Sequence, residues 1–206
     1  MKFYLSSHYF GEEPEKLVSL FSQQPNIAVI LNAQDYLSNP ERKERISEEL
    51  ENLKKIGIKG TEVDLRDFKN QSDLISEFKK YNGVWVMGGN VFLLRRVMFD
   101  SGFDIVIREI SKKPDFVYAG YSAGSVVVGK TLKGFDLVDD ALAVKRIYGS
   151  DIVWEGLGLI DYSIAPHYRS GHEESSAIEN VVNYLEENKI HYKTLQDGRV
   201  IIINKN

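Results

Sequence analysis

The sequence predicts a three-layer α/β/α sandwich around a mostly parallel sheet, and two observations carry that prediction. Short apolar runs of strand length alternate with helical patterns of ~10–15 residues, the signature of right-handed βαβ units covered on both faces. The chain has 206 residues, 43% of them hydrophobic, which suits one sizeable domain (1–206) with an ample core and is marginal for two. In order, the strands are expected at Lys2–Ser6, Ile27–Leu31, Gly60–Leu65, Gly83–Met87, Phe116–Tyr121, Tyr162–Ala165 and Val200–Asn204. Between them the helical patterns cover Glu13–Gln23, Pro40–Ile56, Ser72–Tyr81, Val91–Phe99, Phe103–Lys112, Ala123–Leu132 and Glu173–Asn188. The clearest is Pro40–Ile56, where Ile46, Leu50, Leu53 and Ile56 recur at helical spacing and Gly57 stops the element. The stretch from Lys133 to Gly158 is the least regular and reads as an active-site loop.

Composition removes several function classes. There is no cysteine, which excludes disulfides, thiolate metal sites and a cysteine nucleophile. A net charge of -4 with scattered Lys and Arg offers no footprint for nucleic acid. No apolar run approaches the ~18 residues of a membrane span, and the N-terminus reaches polar residues too soon for a signal segment. The expected compartment is the cytoplasm, with neither nucleic acid nor membrane as a partner.

In parallel sheets the reactive groups sit where strands lead into helix N-termini. Phe116–Tyr121 runs into Gly120-Tyr121-Ser122-Ala123-Gly124, a G-x-S-x-G pentapeptide followed by a helix start. Such a turn lifts the serine hydroxyl clear of the sheet, and the N–H of Ala123 is the natural donor to an oxyanion. The blander reading is close packing of a helix on a strand. A second turn, Met87-Gly88-Gly89-Asn90, ends the strand Gly83–Met87, so Gly88 or Gly89 is a candidate for the other donor, or simply for a tight turn with Asn90 as N-cap. A serine nucleophile needs an imidazole and an orienting carboxylate. Of His8, His167, His172 and His191, His167 is preferred because it follows an apolar run in Ala165-Pro166-His167-Tyr168; His172 reads as an N-cap or surface group, and His8 and His191 as structural. The carboxylate candidates are Asp136, Asp139 and Asp140 in the irregular loop, and Glu173 and Glu174 after His167.

Taken together, Trp85–Leu94, Gly120–Gly124, Gly156-Leu157-Gly158-Leu159-Ile160-Asp161, Ala165–Tyr168 and the ending Leu195–Ile202, read as a terminal hairpin, resemble the peptidase E family of aspartyl dipeptidases. The resemblance spans nearly the whole chain in the right order. It implies a class I glutamine amidotransferase-like fold with serine for cysteine, and hydrolysis of dipeptides with N-terminal aspartate. It implies Ser122 as nucleophile, His167 as base, Gly88 and Ala123 as oxyanion donors, and Asp140, with Asp139 as alternative, as the acid. The family's arginine for the aspartate side chain has no counterpart around Ser175-Ser176; Arg169, Lys145 or Arg146 would have to replace it.

The expectation is therefore a serine-type dipeptidase working through an acyl-enzyme on a small peptide, needing no metal or organic cofactor, with a homodimer left open. The rivals are a non-catalytic metabolite-binding protein of the same fold and a small serine esterase.

Overall fold

A computed structural model of the chain describes residues 1–68 and 70–204; Lys69, Lys205 and Asn206, which the expected domain includes, lie outside the described residues. The elements run β1 (Lys2–Ser6), α1 (Pro14–Ser19), β2 (Asn26–Ile30), α2 (Asn39–Lys55), β3 (Lys59–Glu62), α3 (Gln71–Phe78), β4 (Gly83–Val86), α4 (Val91–Asp100), α5 (Phe103–Ser111), β5 (Val117–Tyr121), α6 (Ala123–Val126), α7 (Ala143–Tyr148), β6 (Ser163–Ala165), α8 (Ser175–Glu187), β7 (Tyr192–Thr194) and β8 (Val200–Asn204). Six strands form one sheet in the order β3-β2-β4-β5-β1-β8, and β6 pairs with β7 in a second, two-stranded sheet. Every pairing in the large sheet is parallel except that of β8 with β1.

Side chains alternate across the sheet. Val84 and Val86 of β4 join the core under α3, α4, α5, α6 and α8, and Trp85 joins the core under α1 and α2, where Leu17, Ile46 and Leu53 cover it. Helices thus lie on both faces, as the βαβ pattern requires. Local chemistry agrees with the longest of them: Ser38 and Glu41 form a capping box at the start of α2, Pro40 sits in its first turn, and Gly57 follows its end at φ 84°.

Beyond the unexpected α7 and β7 and a shorter α1, three differences from expectation have identifiable reasons. The helix expected over Ala123–Leu132 stops after Val126. Val126-Val127-Val128 is a β-branched run, and residues 157–159 take its carbonyls: Leu157 N–H donates to Val127 O at 2.8 Å and Leu159 N–H to Val128 O at 2.9 Å. The strand expected to reach Leu65 ends at Glu62, because Asp64 accepts from Arg66 N–H at 3.0 Å and opens a 3-10 turn. Finally, the chain end is not a hairpin. β7 belongs to the small sheet and β8 to the large one, so residues 195–199 are a crossover between the two sheets.

Candidate active site

The register of the sheet assembles the site. Ser6 of β1 lies opposite Tyr121 of β5, and Val86 of β4 lies opposite Gly120, so the carboxyl ends of three adjacent strands emerge side by side. They deliver Ser7, Ser122 and Gly88 to one spot.

Ser122 has φ 48° and ψ -117°, a conformation costly for a residue with a Cβ. Its surroundings hold it there. Ser122 N–H donates to Ser7 O at 3.1 Å, and Ser122 O accepts from Ser125 N–H at 2.8 Å and from Val126 N–H at 2.9 Å. The glycines on either side are sterically required: a Cβ on Gly120 would stand 2.9 Å, and one on Gly124 2.2 Å, from Val86 O. The pentapeptide is thus both a close-packed junction and a strained serine turn. A Cβ on Gly88 would lie 3.0 Å from Ser122 Cβ, which places the second glycine turn against the first. That turn is rigid: Gly88 O accepts from Gln34 Nε2 at 2.8 Å, and Asn90 caps α4 by accepting from Phe92 and Leu93 N–H, each at 3.0 Å.

His167 follows β6 at φ 58° and is 1% exposed. Its Nδ1 lies 2.7 Å from Asp197 Oδ1, and its backbone N–H donates to Ser7 Oγ at 2.7 Å. The Ser7 hydroxyl donates to the same Asp197 oxygen at 2.6 Å, while Asp197 N–H donates to Ser170 Oγ at 2.9 Å. Ser7 therefore ties all three parts together: its carbonyl holds the Ser122 turn and its hydroxyl holds His167 and Asp197. An ionised Asp197 assigns the proton to Nδ1 and leaves the Nε2 lone pair outward. Burial pushes the His167 pKa down, against the opposing pull of Asp197. Burial also works against ionising Asp197, but hydrogen bonds from Ser7 and His167 outweigh it and hold the carboxyl below its usual range.

Asp140 is not beside His167. It is exposed, pairs with Arg146, and accepts from Leu142 N–H at 3.0 Å, so it caps the turn into α7. Its neighbour Asp139 points inward but accepts from Val91 N–H at 2.7 Å, pinning the loop onto the start of α4, and burial pushes its pKa up to about 7. Asp136 accepts from Gly134 N–H at 3.1 Å, and Glu173 is exposed. Glu174 does approach, with Oε2 3.9 Å from His167 Nε2, and burial raises its pKa. The carboxylate at Nδ1 is Asp197, which in the sequence falls only within the stretch read as a terminal hairpin and not among the acid candidates. Its Asp-Gly dipeptide gave a turn signal, and nothing 30 residues from His167 gave a proximity signal. Ser7, at the end of the first strand, was missed likewise.

Two other histidines also stand nearer than expected. The His172 ring stacks on His167 with centroids 3.8 Å apart, and His8 lies 6.0 Å from His167 and 5.6 Å from His172. His191 is exposed just before β7.

A mostly parallel sheet sheathed by helices, with a strained serine at one strand end and a buried, carboxylate-backed histidine tied to that turn through Ser7, defines an α/β protein whose candidate site lies at the carboxyl ends of its strands. The family follows from comparison: the model of peptidase family S51 matches residues 6–206, and this chain belongs to that family. Among curated relatives it is similar to an uncharacterised peptidase of Listeria innocua, 24% identical over 68% of this chain and 64% of the relative. It is also similar to peptidase E of Streptomyces coelicolor, 25% identical over 66% of this chain and 54% of the relative. The chain thus spans between half and two thirds of the length of these relatives. Solved structures share the fold: a candidate peptidase E from Listeria monocytogenes with TM-score 0.72 and 20% identity, covering 100% of this chain and 98% of the other, and a peptidase from an acI-B1 actinobacterium with TM-score 0.72 and 14% identity, covering 98% and 83%. Among the described residues, no helix is long and apolar enough to cross a membrane.

Proposed function

We propose that the chain is a serine peptidase that hydrolyses short peptides through an acyl-enzyme, with Ser122, His167 and Asp197 as its catalytic residues. The observation that carries this reading is the buried His167, held 2.7 Å from Asp197 by its Nδ1 and tethered through Ser7 to the strained Ser122 turn. Ser122 Oγ attacks the scissile carbonyl while His167 Nε2 takes its proton. Asp197 keeps the imidazole in the required tautomer and stabilises the imidazolium that forms. The N–H groups of Ala123 and of Gly88 or Gly89 receive the oxyanion, each such donor contributing ~100–1000-fold in rate. His167 then returns the proton to the leaving amine and activates the water that releases the acyl group.

Dipeptides with N-terminal aspartate are the substrate class that the family relationship puts first. The bases considered for the aspartate side chain are engaged elsewhere: Arg169 lies 3.5 Å from Glu179, Arg146 pairs with Asp140, and Lys145 donates to Gly149 O at 3.3 Å. Asp-Leu is accordingly one member of the test panel rather than its assumed best substrate. The experiment is hydrolysis of a panel of X-Leu dipeptides by wild type and Ser122→Ala. Turnover that disappears in the variant supports the peptidase and reads out its preference; no turnover on any member sinks the reading in favour of a metabolite-binding protein or a hydrolase of other amides or esters.

A further inference from the structure

The described residues contain one group of three metal-ligating side chains outside the serine and carboxylate roles above. His8, from the end of β1, and His172, from the segment before α8, each bring a ring nitrogen to within 4.8 Å of one on His167, with all three mutually within that distance. Catalysis by Ser122 uses neither His8 nor His172. The surroundings of His167 match what a metal-bound histidine needs, because a second-shell carboxylate on Nδ1 fixes the tautomer and directs the Nε2 lone pair outward. On that outward side Glu174 Oε2 lies 3.9 Å from His167 Nε2 and 3.9 Å from His172 Nδ1, in reach as an oxygen donor.

We propose that His8, His167 and His172, with Glu174 as fourth donor, form a site for a divalent transition-metal ion such as Zn2+, and that the ion blocks the active site by occupying His167. The blocking half rests on the peptidase reading; the binding half does not. Tetrahedral zinc with bonds of ~2.0–2.1 Å brings its donors to roughly 3.3 Å from one another, so the group must contract by about 1.5 Å. His167 is held by Ser7 and Asp197 and stays. The movement falls to His8, which is exposed, and to half-buried His172, whose ring must turn out of its stack on His167 so that the two nitrogens converge, and which gives up the 3.2 Å bond that its Nδ1 accepts from Glu174 N–H. Three imidazoles and a carboxylate favour zinc, copper or nickel over magnesium or calcium. A metal on Nε2 takes the lone pair that would accept the Ser122 proton, so the ion inhibits without touching the serine.

The test is calorimetric titration of Zn2+ into the metal-free full chain, with the visible absorption of Co2+ as a probe of geometry. Wild type and Ser122→Ala are expected to bind about one ion per chain, and His8→Ala and His172→Ala to bind at least about tenfold more weakly while keeping the wild-type circular dichroism spectrum. His8→Gln is the substitute if His8→Ala does not fold. Absence of binding in wild type, or unchanged affinity in both histidine variants, overturns the site. With a substrate in hand, Zn2+ is expected to inhibit and a chelator to restore turnover, and His8→Ala, scaled to its own metal-free rate, to need correspondingly more Zn2+. Equal sensitivity of His8→Ala and wild type overturns the blocking half. If no peptide is hydrolysed, the peptidase reading falls, and calorimetry still decides the metal site.

Discussion

Two regions of the molecule compete for the role of supplying a carboxylate to His167, and they could hardly differ more in sequence. The loop after Ser122 carries Asp136, Asp139 and Asp140 within five residues, whereas the crossover between β7 and β8 carries Asp197 alone. The rich loop spends its carboxylates on itself: Asp136 and Asp140 cap local turns, and Asp139 fastens the loop to α4. The poor crossover aims its single carboxylate at Nδ1 of the buried histidine. Carboxylate density is thus a poor guide to which acid stands beside the histidine; the path of the chain between sheets decides it.

Substitutions can break or sharpen that contrast. Ser122→Ala should remove turnover almost completely, on the order of 10⁴-fold or more in kcat, with unchanged circular dichroism. Asp197→Asn leaves the shape intact but permits the wrong imidazole tautomer, and kcat should fall by about 10³–10⁴-fold. A fall of less than tenfold would refute Asp197 as the orienting acid. Ser7→Ala strips the acceptor from the buried N–H of His167 and a donor from Asp197. An unsatisfied buried group costs ~1–3 kcal/mol, so Tm should drop by several degrees in a thermal melt, with kcat lowered less than in Asp197→Asn.

Asp139 makes a statement about pH. Its carboxyl is raised in the folded state from 3.8 to about 7, so the protonated form is the one the fold favours. That contribution is complete below about pH 4 and is lost as pH rises through 7. Asp139→Asn keeps an acceptor for Val91 N–H without the charge and should raise Tm relative to wild type at pH 8 but not at pH 4; equal offsets at both would refute a buried, charge-averse Asp139. The smallest effect belongs to Asp140→Ala, which removes an exposed cap and a surface ion pair of the kind worth ~0–1 kcal/mol, and should leave kcat within about threefold.

Much of this was legible in the sequence. The alternating runs specify the covered parallel sheet, because β-strands buried on both faces need continuous apolar stretches such as Val84-Trp85-Val86. Ser122 was legible because a serine among glycines at a strand end has a local mechanical meaning, and His167 because it follows a short apolar strand. What was not legible depends on distant chain segments meeting. Asp197 is 30 residues from His167, and Ser7 is 160; no periodicity encodes such separations. The truncated helix after Ser122 was missed for the same reason, since the N–H groups of residues 157–159 take the carbonyls of residues 127–129.

The crossover has one further consequence. A chain emerging from the ribosome meets residues 7, 122 and 167 long before residue 197, and Asp197 is held in place by β7 on one side and β8, paired with β1, on the other. The earliest strand therefore waits for the latest one, a long-range contact of the kind that closes slowly. Until that pairing forms, Asp197 has no fixed place beside the imidazole, so under the proposed function a nascent or truncated chain is expected to hydrolyse peptides far more slowly than the finished one.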